Sequence, residues 1–232
     1  MHFTSLFFDL DDTLYPASSG LWDAIRERMN VYMQKFFDLP EEEIIKIRQA
    51  YLESYGTTLR GLQAHFVVDA DDYLAFVHDI PLEKFIQPDP RLRTLLQSLP
   101  QHLWIFTNAD QHHAKRVIDI LGLEGCFDGI IDITAIDFAC KPDKIAYQRA
   151  LHIVGGENPS NCIIFDDSIR NLAPARELGF YTILIGKNGF EPKVDRVILS
   201  LHHLKNSMPE LWEQDDQPQT NEKQTDIHGS SG

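Results

Sequence analysis

The chain has 232 residues, 43% hydrophobic and 10% aromatic, which is enough for one α/β domain with a second small subdomain and a buried core. Its formal net charge of −14 excludes the basic footprint that nucleic-acid backbones and anionic membranes require, so neither polymeric nucleic acid nor a membrane is an expected partner. No apolar run reaches the ~18 residues of a membrane span.

The first apolar run, Phe3 to Phe8, predicts a buried strand that starts almost at Met1 and leaves no room for a signal peptide. The three cysteines, Cys126, Cys140 and Cys162, are odd in number and lack CxxC spacing, so the expectation is reduced thiols in a cytoplasmic protein. From Ala17 to Pro90 no strand pattern occurs. Helical spacing takes over at Trp22, Ile25, Met29, Tyr32 and Phe36, at Ile44, Ile47 and Tyr51, around Leu59 to Phe66, and around Asp71 to His78. Pro16 to Gly20 mark the entry of this block and Pro88 with Pro90 its exit. Short apolar runs then return at Leu103 to Thr107, Gly129 to Ile133, Cys162 to Phe165 and Tyr181 to Ile185. Between them lie helical patterns at Ala114, Ile118 and Leu121, at Tyr147, Ala150, Leu151 and Val154, and in a short helix ending before Gly179, where Pro174 fits a first turn with Asn171 or Leu172 near the cap. Strands alternating with amphipathic helices predict a Rossmann-like parallel sheet covered on both faces. The predicted division is a core of residues 1–16 and 89–212, a helical block of residues 17–88, and a disordered polar tail of residues 213–232.

In an open parallel sheet, ligands sit beyond the carboxyl ends of the strands. The residues just after the apolar runs are Asp9, Asp11 and Asp12; Thr107 and Asn108; Lys141, after a loop; and Asp166 and Asp167. Two carboxylates about 4 Å apart repel by roughly 4 kcal/mol at an effective dielectric of ~20, so such a cluster calls for a cation. Mg²⁺ takes oxygen ligands and is held by a few carboxylates together with substrate phosphate, which Asp9, Asp166 and Asp167 could supply. Lys141 would neutralise charge on a transferring phosphoryl group and bind it, and the Thr107 hydroxyl, the Asn108 side chain and nearby loop amides would bind its oxygens. A metal-held Asp9 carboxylate could attack phosphorus to form an aspartyl-phosphate, while Asp11, two residues on, protonates the leaving alkoxide and then activates water. Asp12 reads as a turn former.

The stretches FDLDDTLY, TNAD, CKPDKIAY and IIFDDSIRN resemble, in order and spacing, the four motifs of the haloacid dehalogenase (HAD) superfamily of phosphohydrolases, and the helical block resembles its C1 cap. The resemblance spans roughly Phe3 to Leu204. It implies a Mg²⁺-dependent phosphomonoesterase with Asp9 as nucleophile, Asp11 as acid/base and, through its backbone carbonyl, a further metal ligand. Dehalogenases with a similar pattern lack the second aspartate and transporting ATPases carry threonine there, so Asp11 points to a phosphatase or phosphomutase. YGTTLRGL, FVHDIP and PDPRLRTLLQSLP resemble the pyrimidine 5′-nucleotidase group, which implies a nucleoside monophosphate such as UMP or CMP as substrate. A sugar phosphate, phosphoglycolate, a flavin-pathway intermediate, or a non-catalytic regulatory role on the same fold are the alternatives.

Several residues carry two readings. Gly56, Thr57 and Thr58 form a helix stop followed by a new cap, or a loop over the active site with Thr58 or Arg60 on the substrate. Thr107 and Asn108 could cap the helix that follows. His112 with His113, and His202 with His203, have no ligand spacing and are expected to be solvated or partly buried.

Overall fold

The computed structural model describes residues 2–37, 39–187 and 189–213; apart from Glu213, the predicted tail lies outside them. Strands β1 (Ser5–Phe8), β2 (His102–Phe106), β3 (Gly129–Ile131), β4 (Cys162–Asp166), β5 (Tyr181–Ile185) and β6 (Arg196–Ile198) form one sheet in the order β3-β2-β1-β4-β5-β6, with every pairing parallel. The strands are rich in β-branched and aromatic residues, and those of β1 and β4 are buried at every position, as a sheet covered on both faces requires. The sixth strand, the tripeptide Arg196–Ile198, is too short to carry a periodic signal and was not among the predicted elements.

The helices are α1 (Leu21–Phe37), α2 (Glu41–Tyr55), α3 (Thr58–His65), α4 (Ala70–His78), α5 (Pro90–Gln97), α6 (Gln111–Leu121), α7 (Lys144–Ile153), α8 (Ile169–Glu177) and α9 (Leu204–Ser207). Side chains set several of their starts. Thr57 accepts from the Arg60 N–H, Asp69 from those of Asp71 and Asp72, Asp89 from that of Leu92, and Asp110 from that of His113. Two apolar clusters cover opposite faces of the sheet, one built on Leu6, Phe8, Ile105 and Phe165 and the other on Phe7, Phe106, Ile164 and Tyr147. A third cluster, with Tyr32, Met33, Ile44, Leu62, Tyr73 and Val77, lies among α1–α4 and takes in Ile133 and Cys140 from the loops beyond β3. These four helices therefore have a core of their own that is seated on the carboxyl edge of the sheet. α8 corrects one expectation: it begins at Ile169, so Asn171 lies inside its first turn and Pro174 inside the helix.

Candidate active site

The chain runs outward from β1 through β2 to β3 and then returns to place β4 on the other side of β1, so the strand order reverses between β1 and β4. That switch point is where a crevice opens in a parallel sheet. Asp9 stands at the end of β1, its N–H donating to the Phe165 carbonyl of β4 at 2.9 Å, and Asp166 ends β4 itself.

Lys141 fills the space between them. Its side chain is 1% exposed, and its ammonium donates to Asp9 Oδ1 at 2.7 Å, Asp166 Oδ2 at 2.8 Å and the Phe106 carbonyl at 2.9 Å. An ammonium has three N–H groups, so all of them are engaged. Lys141 thus neutralises and orients Asp9; a phosphate oxygen would reach it directly only by replacing one of these acceptors. Asn108 places this lysine. Its Oδ1 accepts the Lys141 N–H at 2.8 Å and its Nδ2 donates to the Lys141 carbonyl at 2.9 Å, which corrects the expectation that its side chain grips a phosphate oxygen. The Thr107 Oγ1 is buried beside the cavity and accepts the Ala109 N–H at 3.0 Å, keeping its own proton free to donate.

Oxygens of Asp9, Asp166 and Asp167 lie within 4.8 Å of one another. Three carboxylates face one ammonium, an excess of negative charge that a divalent cation would offset. The excess of carboxylates is visible in proton affinity. Burial pushes Asp9 well up, and Asp166 and Asp167 add to the rise against the pull of Lys141. Burial, then Asp166 and Asp12, lifts Asp167 to about 7. Lys141 holds its proton more tightly than an ordinary lysine, because Asp166 and Asp9 outweigh its burial. The donor set is all oxygen and suits a hard cation such as Mg²⁺. Asp166 is the most constrained of the three, since Asn171 Nδ2 donates to both its oxygens and the Ser168 N–H to Oδ1; Asp9 Oδ2 and the Asp167 carboxylate take no hydrogen bond found among the described residues.

Asp11 lies in the same cavity, with its Oδ1 accepting from the Tyr15 hydroxyl at 2.6 Å and from His113 Nε2 at 3.0 Å. Burial would raise it, but His113, helped by the Tyr15 hydrogen bond, outweighs burial and leaves it below the usual carboxylate range. Asp12 sits at φ 57 in the turn that follows β1, as its reading as a turn former anticipates. His113 is the functional candidate that sequence reasoning missed: expected solvated or partly buried, it is 0% exposed. Its position four residues before Val117 and eight before Leu121, on the apolar stripe of α6, was the available signal.

The cavity measures about 660 Å³ and is closed on its far side by α1–α4 through Trp22, Met29, Arg48, Thr58, Tyr73 and Leu74. Gly56, at φ 88, lets the turn between α2 and α3 settle directly on the loop that carries Lys141. A Cβ there would lie 2.6 Å from Cys140 Sγ. Thr57 caps α3, in keeping with the first reading of Gly56 to Thr58, and Thr58 lines the cavity. Arg60 does not line the cavity; it is engaged by Asp143 and Cys140 at the seam between the helices and the core.

The haloacid dehalogenase-like hydrolase family matches residues 3–179. The chain belongs to that family. It is 27% identical over 213 residues to Phosphate metabolism protein 8 of Saccharomyces cerevisiae, a stretch that covers 86% of this chain and 66% of that protein. In structure it is similar to a HAD phosphatase from Thermococcus onnurineus, with a TM-score of 0.60 at 17% identity over 88% of this chain and 97% of that one. It is also similar to the HAD hydrolase YfnB of Bacillus subtilis bound to magnesium, with a TM-score of 0.56 at 18% identity over 90% and 99% of the two chains. The family accounts for the parallel sheet and for an acidic cluster at its carboxyl edge. No helix among the described residues is long and apolar enough to cross a membrane.

Proposed function

We propose that the chain is a Mg²⁺-dependent phosphomonoesterase with Asp9 as nucleophile, and that residues 17–88 form a C1-type cap over a catalytic core of residues 1–16 and 89–212. The observation that carries the reading is the meeting of Asp9, Asp166 and Asp167 around the triply bonded Lys141, with Asp11 two residues from the nucleophile. Asp9, Asp166, Asp167 and the Asp11 backbone carbonyl would hold the cation. When bound, Mg²⁺ supplies positive charge that keeps Asp9 ionised and draws a phosphate dianion into the crevice.

Lys141 holds Oδ1 of Asp9 and so leaves Oδ2 to attack phosphorus in line with the leaving oxygen. The phosphorus–oxygen bond to the alcohol breaks as the one to Asp9 forms, and Asp11 Oδ2 delivers a proton, supplied beforehand by substrate or solvent, to the departing oxygen. Asp11, now a carboxylate, accepts a proton from water as that water attacks the aspartyl-phosphate and releases inorganic phosphate. The lowered proton affinity of Asp11 suits this second half. The Thr107 hydroxyl donates to a phosphate oxygen throughout.

A pyrimidine nucleoside monophosphate is the substrate that this reading favours. The cavity volume is in the range that holds a small organic ligand, and its far wall offers Trp22, Met29 and Leu74 for a base or sugar face and Thr58, Tyr73 and Arg48 for polar edges. The name of the yeast relative, Phosphate metabolism protein 8, agrees with phosphoester chemistry.

The test is phosphate release from UMP, CMP, AMP, GMP, phosphoglycolate and sugar phosphates, with Mg²⁺ or EDTA and with Asp9→Asn as control. The expected outcome is release from UMP and CMP that is lost with EDTA and falls by more than about 10³-fold in Asp9→Asn. Preference for another ester keeps the mechanism and replaces the substrate. Lack of turnover of every ester moves the protein to a regulatory role.

A further inference from the structure

Asp11 is anchored through one oxygen only. The Tyr15 hydroxyl and His113 Nε2–H both donate to Oδ1, at 2.6 and 3.0 Å, while Oδ2 accepts no hydrogen bond found among the described residues in a side chain that borders the cavity. Both donors are buried, Tyr15 at 3% exposure and His113 at none. A carboxyl held in this way, when it carries a proton, carries it on Oδ2, because the oxygen that accepts two donors must be the carbonyl.

His113 is itself held at both its backbone and its ring, and the segment its ring packs on is tied down. Its backbone N–H donates to Asp110 Oδ1 at 2.9 Å, the cap of α6. Its ring stacks on that of His78 with centroids 4.1 Å apart and planes 17° apart, and His78 Nδ1 donates to the other oxygen of Asp110. Arg116, on the next turn of α6, donates to the carbonyls of His78 at 2.8 Å and Ile80 at 2.6 Å, so the chain leaving α4 is tied down at the same spot. The remaining ring nitrogen of His113, Nδ1, is buried without a partner among the described residues. An unpartnered buried polar atom costs about 1–3 kcal/mol, and a phenylalanine or leucine would fill the same space without it. The imidazole is therefore poorly explained by packing and well explained by its Nε2–H.

We propose that His113 is a positioning residue for phosphoester cleavage: with Tyr15 it holds Oδ1 of Asp11 so that Oδ2 faces the leaving-group oxygen. The proposal rests on the acid/base reading of Asp11. Misplacing a reacting group by about 1 Å costs roughly 10²-fold, and in kcat/KM, which ends at phosphoryl transfer to Asp9 and leaves out the later attack of water, the loss should appear only where the leaving oxygen needs a proton.

The experiment compares kcat/KM for UMP, or whichever alkyl phosphate the panel favours, with kcat/KM for p-nitrophenyl phosphate, whose phenolate departs unprotonated. The variants are Asp11→Asn, His113→Phe and His113→Gln. His113→Phe is expected to lower kcat/KM for the alkyl ester by about 10- to 100-fold and for the nitrophenyl ester by less than about threefold, and His113→Gln, which restores an amide N–H near the Nε2 position, to recover most of the loss. Tyr15→Phe removes the other donor, should show the same split, and carries the test if the ring variants do not fold. Equal losses on both esters, or none on the alkyl ester, overturn the role of His113 while Asp11→Asn still shows the split. If Asp11→Asn itself shows no split, or if neither ester is turned over, the acid/base reading falls and the inference falls with it.

Discussion

Lys141, on the sheet side of the cavity, has an acceptor for each of its N–H groups, and Asn108 and Asp166 beside it use both ends of their side chains. Across the cavity, the Tyr73 hydroxyl and Arg48 Nε are buried with no hydrogen-bond partner among the described residues. The two walls differ in what they need. The sheet wall holds its polar groups in hydrogen bonds and carries an excess of negative charge, whereas the helical wall keeps buried polar atoms without partners among the described residues. On the proposed function, catalysis falls to the sheet wall and recognition to the helical wall, and each can be perturbed separately.

The sharpest way to break this comparison is to empty the sheet wall. Lys141→Met leaves the buried carboxylates of Asp9 and Asp166 without their ammonium partner, and kcat is expected to fall by about 10²- to 10³-fold, with a loss of roughly 3–5 kcal/mol in urea unfolding without Mg²⁺. Near-normal turnover would show that the lysine is structural. Gly56→Ala attacks the seam between the walls. The added methyl would meet Cys140 Sγ at a backbone angle that L residues rarely adopt, so a destabilisation of about 1–3 kcal/mol is expected, with a parallel loss of activity because the Lys141 loop must shift.

The charge deficit of the sheet wall should be legible in stability against pH. Asp167 binds its proton up to about pH 7 in the folded protein and only in the ordinary carboxylate range when unfolded. Metal-free protein therefore holds more protons than its unfolded chain across that window, and its stability falls as pH rises from 4 towards 7, by on the order of 2 kcal/mol. Mg²⁺ should flatten the fall. Unfolding in urea at pH 5 and pH 7.5, with Mg²⁺ and with EDTA, measures it, and identical slopes in both buffers would remove the cation from this site. The mildest perturbation is Tyr73→Phe. Removal of an unpartnered buried hydroxyl should leave stability unchanged or raise it by up to about 1 kcal/mol, while KM for the preferred ester rises by about tenfold if that hydroxyl meets the leaving group. An unchanged KM would give the helical wall no part in recognition through this atom.

The sheet wall was the more legible in sequence, for a physical reason. Strand ends in a parallel sheet share one edge, so the residues after apolar runs converge whatever lies between them, and Asp9, Thr107, Lys141 and Asp166 could be placed together from order alone. The donors that each side chain would find could not. Asn108 was read as a phosphate ligand and turned out to clasp Lys141, because the loop between β3 and Lys141 has no period from which its path follows. Arg60 was misplaced for the same reason: helical spacing gives a face, but the crossing of α3 over the Asp143 loop decides what that face meets. α5 passed unread as a helix although Asp89 and Pro90 provide a cap and a first-turn proline, its eight residues being too few for a firm apolar stripe.

The contact between Lys141 and Asp9 joins residues 132 positions apart, and Asp166 reaches the same ammonium from the far side of β1. During synthesis the strand that carries Asp9 must therefore wait for its second neighbour until β4 (Cys162–Asp166) has left the ribosome. A nascent or truncated chain ending before β4 has its first aspartates but neither the switch-point crevice nor the acidic residues opposite. Hydrolytic competence is thus a late event in the life of each molecule, and a stalled fragment of this hydrolase is expected to be inert towards the cell's phosphoesters.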